Sequence, residues 1–399
     1  MKKRLLFVMN NLQCGGAEKS LISLLQTLDY SRVEVDLFLF RHEGIFMSQI
    51  PEQVNLLNEP RHYKYFNMSI KTALAECLRR GNIRIALART IAQFIFITEK
   101  NKARCEQRAW KYVSKSVQKI QGRYDVAIGY LEKNPIYCVI DKTDAHTKIG
   151  WIHTNYSNLE MDAAIDRPFF NKLDRLVTVS EECARAIQEE FQDQQEKVKV
   201  IHNIVSPSII RHMAGTEPQE QLQFDREFTN IITLSRLSYA KGIDFAIEAC
   251  RILVGSAYKV KWYILGFGTD QEQKDCRHLI EKYGLENHFI LLGVKDNPYP
   301  YIRHADLYVQ TSRFEGKSIA IDEAKIMHKP IVVTNFSTAK DQIEHEKNGL
   351  IVEMNPEAIA EGIVKLITGE ELRTQWVNQL SQENLGTESE IDKLYELIL

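Results

Sequence analysis

Short β-type runs alternate with helical stretches along most of this chain of 399 residues. The β-type runs lie at residues 5–9, 33–40, 124–130, 147–152, 176–179 and 198–201, and then at 230–235, 260–265, 289–292, 307–310, 331–334 and 349–352. Such alternation is typical of parallel sheets with helices on both faces. The predicted fold class is therefore α/β, with two doubly wound Rossmann-like domains whose carboxyl strand edges face a central cleft.

Two breaks in the alternation suggest the domain organisation. A polar stretch with Pro207, Gly215 and Pro218 separates the two series and is interpreted as an interdomain linker. The predicted domains are residues 1–203 and 204–380, and a helical segment at 381–399 is expected to pack back on the first domain. A helix-rich insert interrupts the first domain at about 61–121, where apolar residues recur at helical spacing.

The overall charge is balanced, but the insert is strongly basic. The chain has 51 Lys and Arg against 53 Asp and Glu, so its net charge of −2 gives no signature of nucleic-acid binding. Between residues 61 and 119, fourteen Lys and Arg face only three Glu, an excess of eleven positive charges. Apolar Leu87, Ile91, Phe94 and Ile95 share these helices, which suits contact with an anionic membrane surface. Alternatively, they pack on the first domain while the cations face water.

The cysteines and the apolar segments indicate a cytoplasmic protein. Seven scattered Cys with no C-x-x-C pair fit a reducing compartment with free thiols. The run at 5–9 is too short for a signal-peptide core, and the stretch at 91–98 is too short to span a bilayer. No Asp-x-Asp or H-E-x-x-H pattern occurs, so no dedicated metal site is expected.

Two carboxylates, Glu315 and Glu323, are separated by seven residues just after the predicted strand at 307–310. If a helix begins near Ser318, Glu323 lies about two turns beyond Glu315, and one pocket could receive both. Gly316 would let backbone approach a ligand, and the start of a helix favours an anion such as phosphate. The alternative is an ordinary turn followed by a helix with solvated charges.

In the first domain, Gly15 and Gly16 follow the first strand and open a helix, leaving room for a substrate or its phosphate. They match neither the Walker A pattern nor G-x-G-x-x-G, and a purely structural turn is an equal alternative. His153 ends another strand and could hydrogen-bond a sugar hydroxyl. The alternative for His153 is a partly buried ring satisfied by backbone.

In the second domain, two cations follow the first strand. Arg236 and Lys241 would suit a diphosphate whose negative charge grows as it leaves, although both could be solvated loop cations. After the next strand, Gly266-Phe267-Gly268 is a lone G-x-G and a weak dinucleotide signal.

The order of these features resembles the family 4 retaining glycosyltransferases of the GT-B fold. The resemblance covers nearly the whole chain except the insert. It implies that residues 1–203 bind the acceptor and 204–380 the nucleotide-sugar. It implies catalytic roles for His153, close to the transferred sugar, and for Glu315, on hydroxyls of the donor sugar. The donor-binding residues it implies are Gly16, in a donor-phosphate or acceptor loop, Arg236 and Lys241 on the diphosphate, Val294 at the base, Gly316, Lys317 and Ser318 at the distal phosphate, and Glu323 on the ribose. Lys317 departs from the family pattern, which often has an aromatic residue there.

The resemblance implies a metal-independent transferase without cofactors that moves a hexose-type sugar, with retention, from a nucleoside diphosphate. UDP-sugar is the expected donor. A hydroxyl of a lipid-linked oligosaccharide in bacterial surface-polysaccharide synthesis is the expected acceptor. The expected location is the cytoplasm, with peripheral contact at the inner membrane face. The alternatives are an inactive sugar-nucleotide-binding partner of another transferase and a same-fold epimerase or phosphorylase.

Overall fold

The computed structural model describes residues 2–13, 15–215 and 224–399. The chain forms two compact units. Unit 1 comprises Met1–His202 with Glu390–Leu399, and unit 2 comprises Asn203–Ser389. Within the described ranges, no helix has the length and apolar character needed to cross a bilayer.

Unit 1 contains a seven-stranded sheet in which every pair of neighbours is parallel. Its strands are β1 Lys3–Met9, β2 Val33–Leu39, β3 Val54–Leu56, β4 Arg123–Gly129, β5 Asp144–Ile152, β6 Arg175–Thr178 and β7 Val198–Val200. Their order is β3-β2-β1-β4-β5-β6-β7, so the winding direction reverses between β1 and β4. Residues 5–9 of β1 are completely buried, as expected for a strand covered on both faces.

The helices of unit 1 include the predicted insert. They are α1 Gly16–Thr27, α2 Lys64–Asn67, α3 Ile70–Arg79, α4 Ile83–Thr98, α5 Lys102–Val113, α6 Asn134–Lys142, α7 Ala163–Phe170 and α8 Glu181–Glu190. Helices α2 to α5 lie between β3 and β4 and form the insert. The buried Arg89 of α4 ties it together by donating to the carbonyl oxygens of Tyr65 and Met68.

Unit 2 contains a second parallel sheet, of six strands in the order β10-β9-β8-β11-β12-β13. The strands are β8 Thr229–Leu234, β9 Val260–Leu265, β10 Phe289–Gly293, β11 Leu307–Gln310, β12 Ile331–Thr334 and β13 Leu350–Val352. Ile231 and Ile232 are both fully buried but belong to different apolar clusters, so both faces of this sheet are covered. The predicted fold class of two doubly wound α/β domains is therefore confirmed.

The helices of unit 2 are α9 Pro207–Ala214, α10 Ile243–Gly255, α11 Asp270–Lys282, α12 Tyr299–His304, α13 Ile319–Ile326, α14 Pro356–Thr368 and α15 Glu370–Gln382. The linker interpretation was wrong for 207–214, which form α9. Pro207 sits in the first turn, where it breaks no helical hydrogen bond, and Ile210 and Ala214 are buried in the core of unit 2. Gly215 caps this helix, and Pro218 lies outside the described residues.

The last helix, α16 Glu390–Ile398, belongs to unit 1 although it follows unit 2 in the sequence. The hydroxyl of its Tyr395 accepts a hydrogen bond of 2.6 Å from the Asp29 amide, and Arg32 lies 4.2 Å from the Tyr395 ring centroid. The expected segment at 381–399 begins too early, because α15 continues to Gln382 within unit 2.

Candidate active site

The main polar cluster lies at the carboxyl edge of the unit 2 sheet, where β8 and β11 are neighbours. The winding direction reverses between these two strands, and ligands of open α/β sheets bind at such a reversal. The segment after β8 contains Arg236 and Lys241, and the segment after β11 contains Glu315. The topology therefore brings together residues that are 74 positions apart.

Glu315 is the centre of this cluster. Its buried carboxylate accepts hydrogen bonds from the Lys241 ammonium at 2.6 Å to each oxygen, so the two side chains form a partly buried ion pair. The Gln310 amide and the Ser312 hydroxyl donate to Oε1, at 2.6 and 2.7 Å. Because Oε1 accepts three bonds and Oε2 only the one from Lys241, Oε2 is the oxygen with capacity for a ligand hydroxyl.

The start of α13 is tied to the same cluster through Ser318. The Ser318 hydroxyl hydrogen-bonds the Gln310 side chain, and its backbone N–H donates to Gln342 Oε1 at 2.9 Å. The Gln342 amide nitrogen in turn donates to the Ser318 carbonyl and to Asp322, each at 2.8 Å. The Ser318 N–H, expected to meet a phosphate, is thus occupied by Gln342 in this structure.

The loop that carries Lys241 is fixed by Arg313 and by Gly242. The Arg313 guanidinium binds both carboxylate oxygens of Asp244, at 2.6 and 2.8 Å, and donates to the Tyr239 carbonyl. Gly242 has φ +62°, and a Cβ there would lie 2.0 Å from the Thr311 carbonyl oxygen. A side chain at position 242 would therefore push the Lys241 segment away from the end of β11.

Glu323 lies on α13 and is almost completely buried, so the alternative of a solvated helix charge is wrong for this residue. The Tyr299 hydroxyl of α12 donates to its Oε1 at 3.0 Å. Burial of a carboxylate is costly, so a buried Glu that keeps a hydrogen-bond partner is better explained by ligand binding than by solvation of the helix.

The remaining predicted donor-binding residues of unit 2 differ in burial. Arg236 is exposed, and its guanidinium has no hydrogen-bond partner within the described ranges. The Lys317 side chain is mostly buried, with its ammonium 4.0 Å from Asp322. Val294 directly follows β10, at the same sheet edge. Its neighbour Gly293 accepts a hydrogen bond from the Gly266 amide at 2.9 Å, which joins two loops of that edge.

The predicted residues of unit 1 lie at the carboxyl edge of its own sheet. Gly16 is the first residue of α1, after β1, and a Cβ there would meet nothing within 4 Å, so the position has open space. Cys14, in the same loop, lies outside the described residues. The open space fits a small group approaching the helix start but does not require a glycine.

His153 follows β5 and is held in a neutral state. Burial lowers the pKa of its imidazole to about 3, and a hydrogen bond to the backbone of Tyr130 opposes this shift. Its Nε2 is shielded from solvent and has no partner among the described residues. Its ring lies 6.2 Å from the Trp151 ring and nearly parallel to it. At neutral pH this imidazole can offer a hydrogen bond but carries no charge.

Glu132, which the sequence analysis did not single out, fixes the segment that carries His153. Its buried carboxylate accepts the amide hydrogens of His153 and Thr154, at 2.6 and 3.0 Å. Burial raises the pKa of this carboxyl.

The structure thus brings Lys241, Glu315 and Ser318 into one hydrogen-bonded network. Sequence reasoning missed the residues that organise it: Gln310, Ser312, Arg313 and Gln342. Gln310 had a signal, because it is a polar residue at the end of an apolar strand. Within the described ranges, no three His, Cys, Asp or Glu residues are grouped so that they could hold a metal ion.

A known protein family matches most of unit 2. Residues 216–382 match the family model described as glycosyl transferases group 1. This segment is therefore similar to glycosyltransferase group 1 domains. It contains Arg236, Lys241, Val294, Glu315 and Glu323.

Two curated relatives share part of the chain. The amylovoran biosynthesis glycosyltransferase AmsK of Erwinia amylovora is 31% identical over 149 residues, 35% of this chain and 36% of the relative. The N-acetylgalactosamine-N,N'-diacetylbacillosaminyl-diphospho-undecaprenol 4-alpha-N-acetylgalactosaminyltransferase of Campylobacter jejuni is 24% identical over 212 residues, 53% of this chain and 55% of the relative. The chain spans about a third to just over half of the length of the curated relatives it matches.

Solved structures match over the whole chain. HepE of Anabaena, in complex with UDP and glucose, has a TM-score of 0.68 at 18% identity, covering 99% of each chain. The chain therefore shares its fold with GT-B glycosyltransferases.

Proposed function

We propose that this protein transfers a hexose-type sugar, with retention, from UDP to a hydroxyl of a lipid-linked oligosaccharide in bacterial surface-polysaccharide synthesis. The observation that carries this proposal is the Lys241–Glu315 pair at the strand reversal of a glycosyltransferase group 1 domain. A carboxylate that can accept sugar hydroxyls and a cation that can meet a phosphate are held there in contact.

The donor side of the proposal uses the charged residues of unit 2. Glu315 Oε2 accepts a hydroxyl of the sugar, and Glu323, buried on α13, accepts the ribose hydroxyls. Arg236 and Lys241 face the diphosphate. UDP is supported as the nucleotide by HepE of Anabaena, which has been solved with UDP and glucose.

The acceptor side of the proposal uses unit 1, where His153 hydrogen-bonds the sugar or the acceptor hydroxyl. A lipid-linked acceptor is supported by the Campylobacter relative, whose name describes a diphospho-undecaprenol glycan. AmsK of Erwinia is named for amylovoran biosynthesis, which supports a polysaccharide product. We place the reaction in the cytoplasm, at the inner face of the membrane.

The proposed step breaks the bond between the anomeric carbon and the diphosphate oxygen. The acceptor oxygen forms its bond to the same face of the anomeric carbon, and its proton passes to the departing phosphate. Arg236 and Lys241 stabilise the negative charge that grows on the diphosphate, a preorganised electrostatic contribution. His153, neutral because its pKa is about 3, donates or accepts a hydrogen bond without adding charge.

Thermal shifts with UDP-, GDP- and ADP-sugars test the donor first. A ligand at 100 times its dissociation constant adds about 2.7 kcal/mol to stability, so the right nucleotide is distinguished clearly. Release of UDP with a lipid-linked glycan then tests transfer, and the configuration of the product tests retention. Tight UDP-sugar binding without turnover on any acceptor would favour an inactive sugar-nucleotide-binding partner. Isomerisation of the free donor would favour an epimerase.

A further inference from the structure

Helix α4 in the insert of unit 1 carries an exposed stripe that is mostly apolar. The stripe consists of Ile83, Leu87, Phe94 and Ile97, with exposures of 67, 61, 66 and 71%, and the exposed Thr90 lies between them. Their spacing of four, three, four and three residues places all five within about 80° around the helix. The stripe is about 21 Å long at 1.5 Å per residue.

The opposite face of α4 is already occupied. Ala88, Arg89 and Ala92 are buried, and α4 packs against both α3 and α5. Arg89 is fixed by the carbonyl oxygens of Tyr65 and Met68. The helix already packs its buried face against the rest of the insert. The stripe is therefore a second, separate apolar face. Isolated exposed apolar residues are ordinary, but an aligned row over four turns indicates an interaction surface.

The surroundings of the stripe are cationic, and their charge is not neutralised locally. The three Glu of the insert are each bound by a cation: Glu76 by Lys64 and Arg80, Glu99 by Arg108, and Glu106 by Lys133. Helix α4 contains no acidic residue. Arg79 and Arg84, at either side of the turn into α4, are exposed and form no ion pair within the described ranges.

We propose that the α4 stripe inserts into the surface of an anionic lipid bilayer, with the surrounding Lys and Arg on the lipid headgroups. A helix with an apolar face and a basic margin lies in the plane of the interface in this way. A second copy of this chain fits the same surface poorly, because a symmetric contact would bring two inserts, each with eleven excess positive charges, against one another. An anionic lipid surface satisfies both the apolar row and the charge.

Tryptophan fluorescence tests the insertion directly. All four Trp of the protein are buried, so the full-length Phe94→Trp variant has a single exposed indole. Adding vesicles of phosphatidylcholine with phosphatidylglycerol at low salt should shift its emission to the blue and protect it from an aqueous quencher. Pure phosphatidylcholine vesicles, or high salt, should give little shift because the cations are then unattracted or screened. The matched control is Ile209→Trp, at an isolated exposed apolar position on α9 of unit 2.

Sedimentation with the same vesicles measures the contribution of the stripe. Leu87→Ser combined with Phe94→Ser should lower the partition coefficient for the anionic vesicles at least tenfold. Ile209→Ser should leave this coefficient unchanged. Circular dichroism and the thermal shift with UDP check that the variants are folded. Lipid binding is measured without donor, so its failure is distinguishable from failure of the proposed transfer.

Three results would overturn the proposal. The first is no blue shift of Phe94→Trp on anionic vesicles. The second is equal binding to neutral and anionic vesicles, which would remove the role of the cations. The third is a blue shift without vesicles that grows with protein concentration alongside dimer formation, which would assign the stripe to a second copy.

Discussion

The carboxyl edges of the two sheets differ in the charge of their predicted site residues. In unit 2, Lys241 and Glu315 are charged and bind one another directly. In unit 1, His153 is neutral, and the carboxylate of the nearby Glu132 accepts hydrogen bonds from backbone amides. Both edges belong to doubly wound parallel sheets, so the shared fold does not set this difference. Charge paired across two loops suits a diphosphate and a sugar hydroxyl, and a neutral ring suits an uncharged hydroxyl.

Removing the carboxylate of unit 2 should give the largest effect. Glu315→Gln should lower turnover about hundredfold, or about 2.7 kcal/mol in the barrier, because a neutral amide cannot hold the Lys241 ammonium or a sugar hydroxyl equally well. Steady-state rates of UDP release measure this. The control is Glu344→Gln, an exposed Glu paired with Lys347 in the same unit. Near wild-type turnover in Glu315→Gln would separate this pair from the chemistry.

Arg236 and Lys241 should both contribute to UDP binding, but only Lys241 should also contribute to stability. Arg236→Gln and Lys241→Gln should each weaken UDP binding by about 1.5 to 3 kcal/mol, the value of a hydrogen bond to a charged group. Only Lys241→Gln should also lower the free energy of unfolding, because it leaves buried Glu315 without its cation. Isothermal calorimetry and chemical denaturation measure the two quantities.

Lys274→Gln, an exposed cation on α11, is the control for both measurements. If Arg236→Gln and Lys241→Gln both bind UDP like the wild type, the diphosphate lies elsewhere.

The neutral edge of unit 1 should affect turnover and leave nucleotide binding intact. His153→Ala should lower kcat about tenfold, or about 1.4 kcal/mol, with UDP affinity unchanged. His146→Ala is the control, since His146 lies near the other end of the same strand, β5. An equal loss of UDP affinity and of turnover would place His153 on the nucleotide instead.

The pH dependence of stability and of kcat should show that His153 is neutral in the folded protein. Because the pKa of His153 falls from 6.5 to about 3 on folding, the unfolded chain binds its proton first as pH falls. His153 therefore makes the free energy of unfolding rise with pH between about 3 and 6.5, and His153→Ala should flatten that rise. The kcat profile should show no ionisation of His153 near 6.5. Loss of activity on protonation near 6.5 that disappears in His153→Ala would contradict a neutral imidazole.

The sheets were predictable because their strands are short apolar runs bounded by turns. The strands Val260–Leu265, Leu307–Gln310 and Ile331–Thr334 have the bounds that the sequence predicts. Strand β3, of three residues, was missed because so short a run has no period of its own. The apolar face of α9 is short and flanked by Pro207 and Gly215, so it was interpreted as a linker although Ile210 is buried.

For the candidate site, the sequence indicates proximity only between residues that share one segment. The interval between Glu315 and Glu323 spans one turn and one helix, so spacing alone indicates that both face a common region. Arg313 and Gln342 act through partners in other loops, Asp244 and Ser318, and no local pattern distinguishes them from surface residues. The neutrality of His153 depends on burial by the tertiary structure, which the residue type does not indicate.

The smallest predicted effect concerns the packing of the last helix, α16, on unit 1. Tyr395→Phe removes the acceptor for the Asp29 amide but keeps the ring beside Arg32, so it should lower the stability of unit 1 by about 1 kcal/mol. Urea denaturation with and without UDP measures this, since UDP should raise only the transition of the unit that binds it. Tyr283→Phe, whose ring lies beside Arg251 in unit 2, is the control. If Tyr395→Phe instead lowers the transition that responds to UDP, the unit that contains α16 is the one that binds the nucleotide, contrary to the assignment of the donor to unit 2.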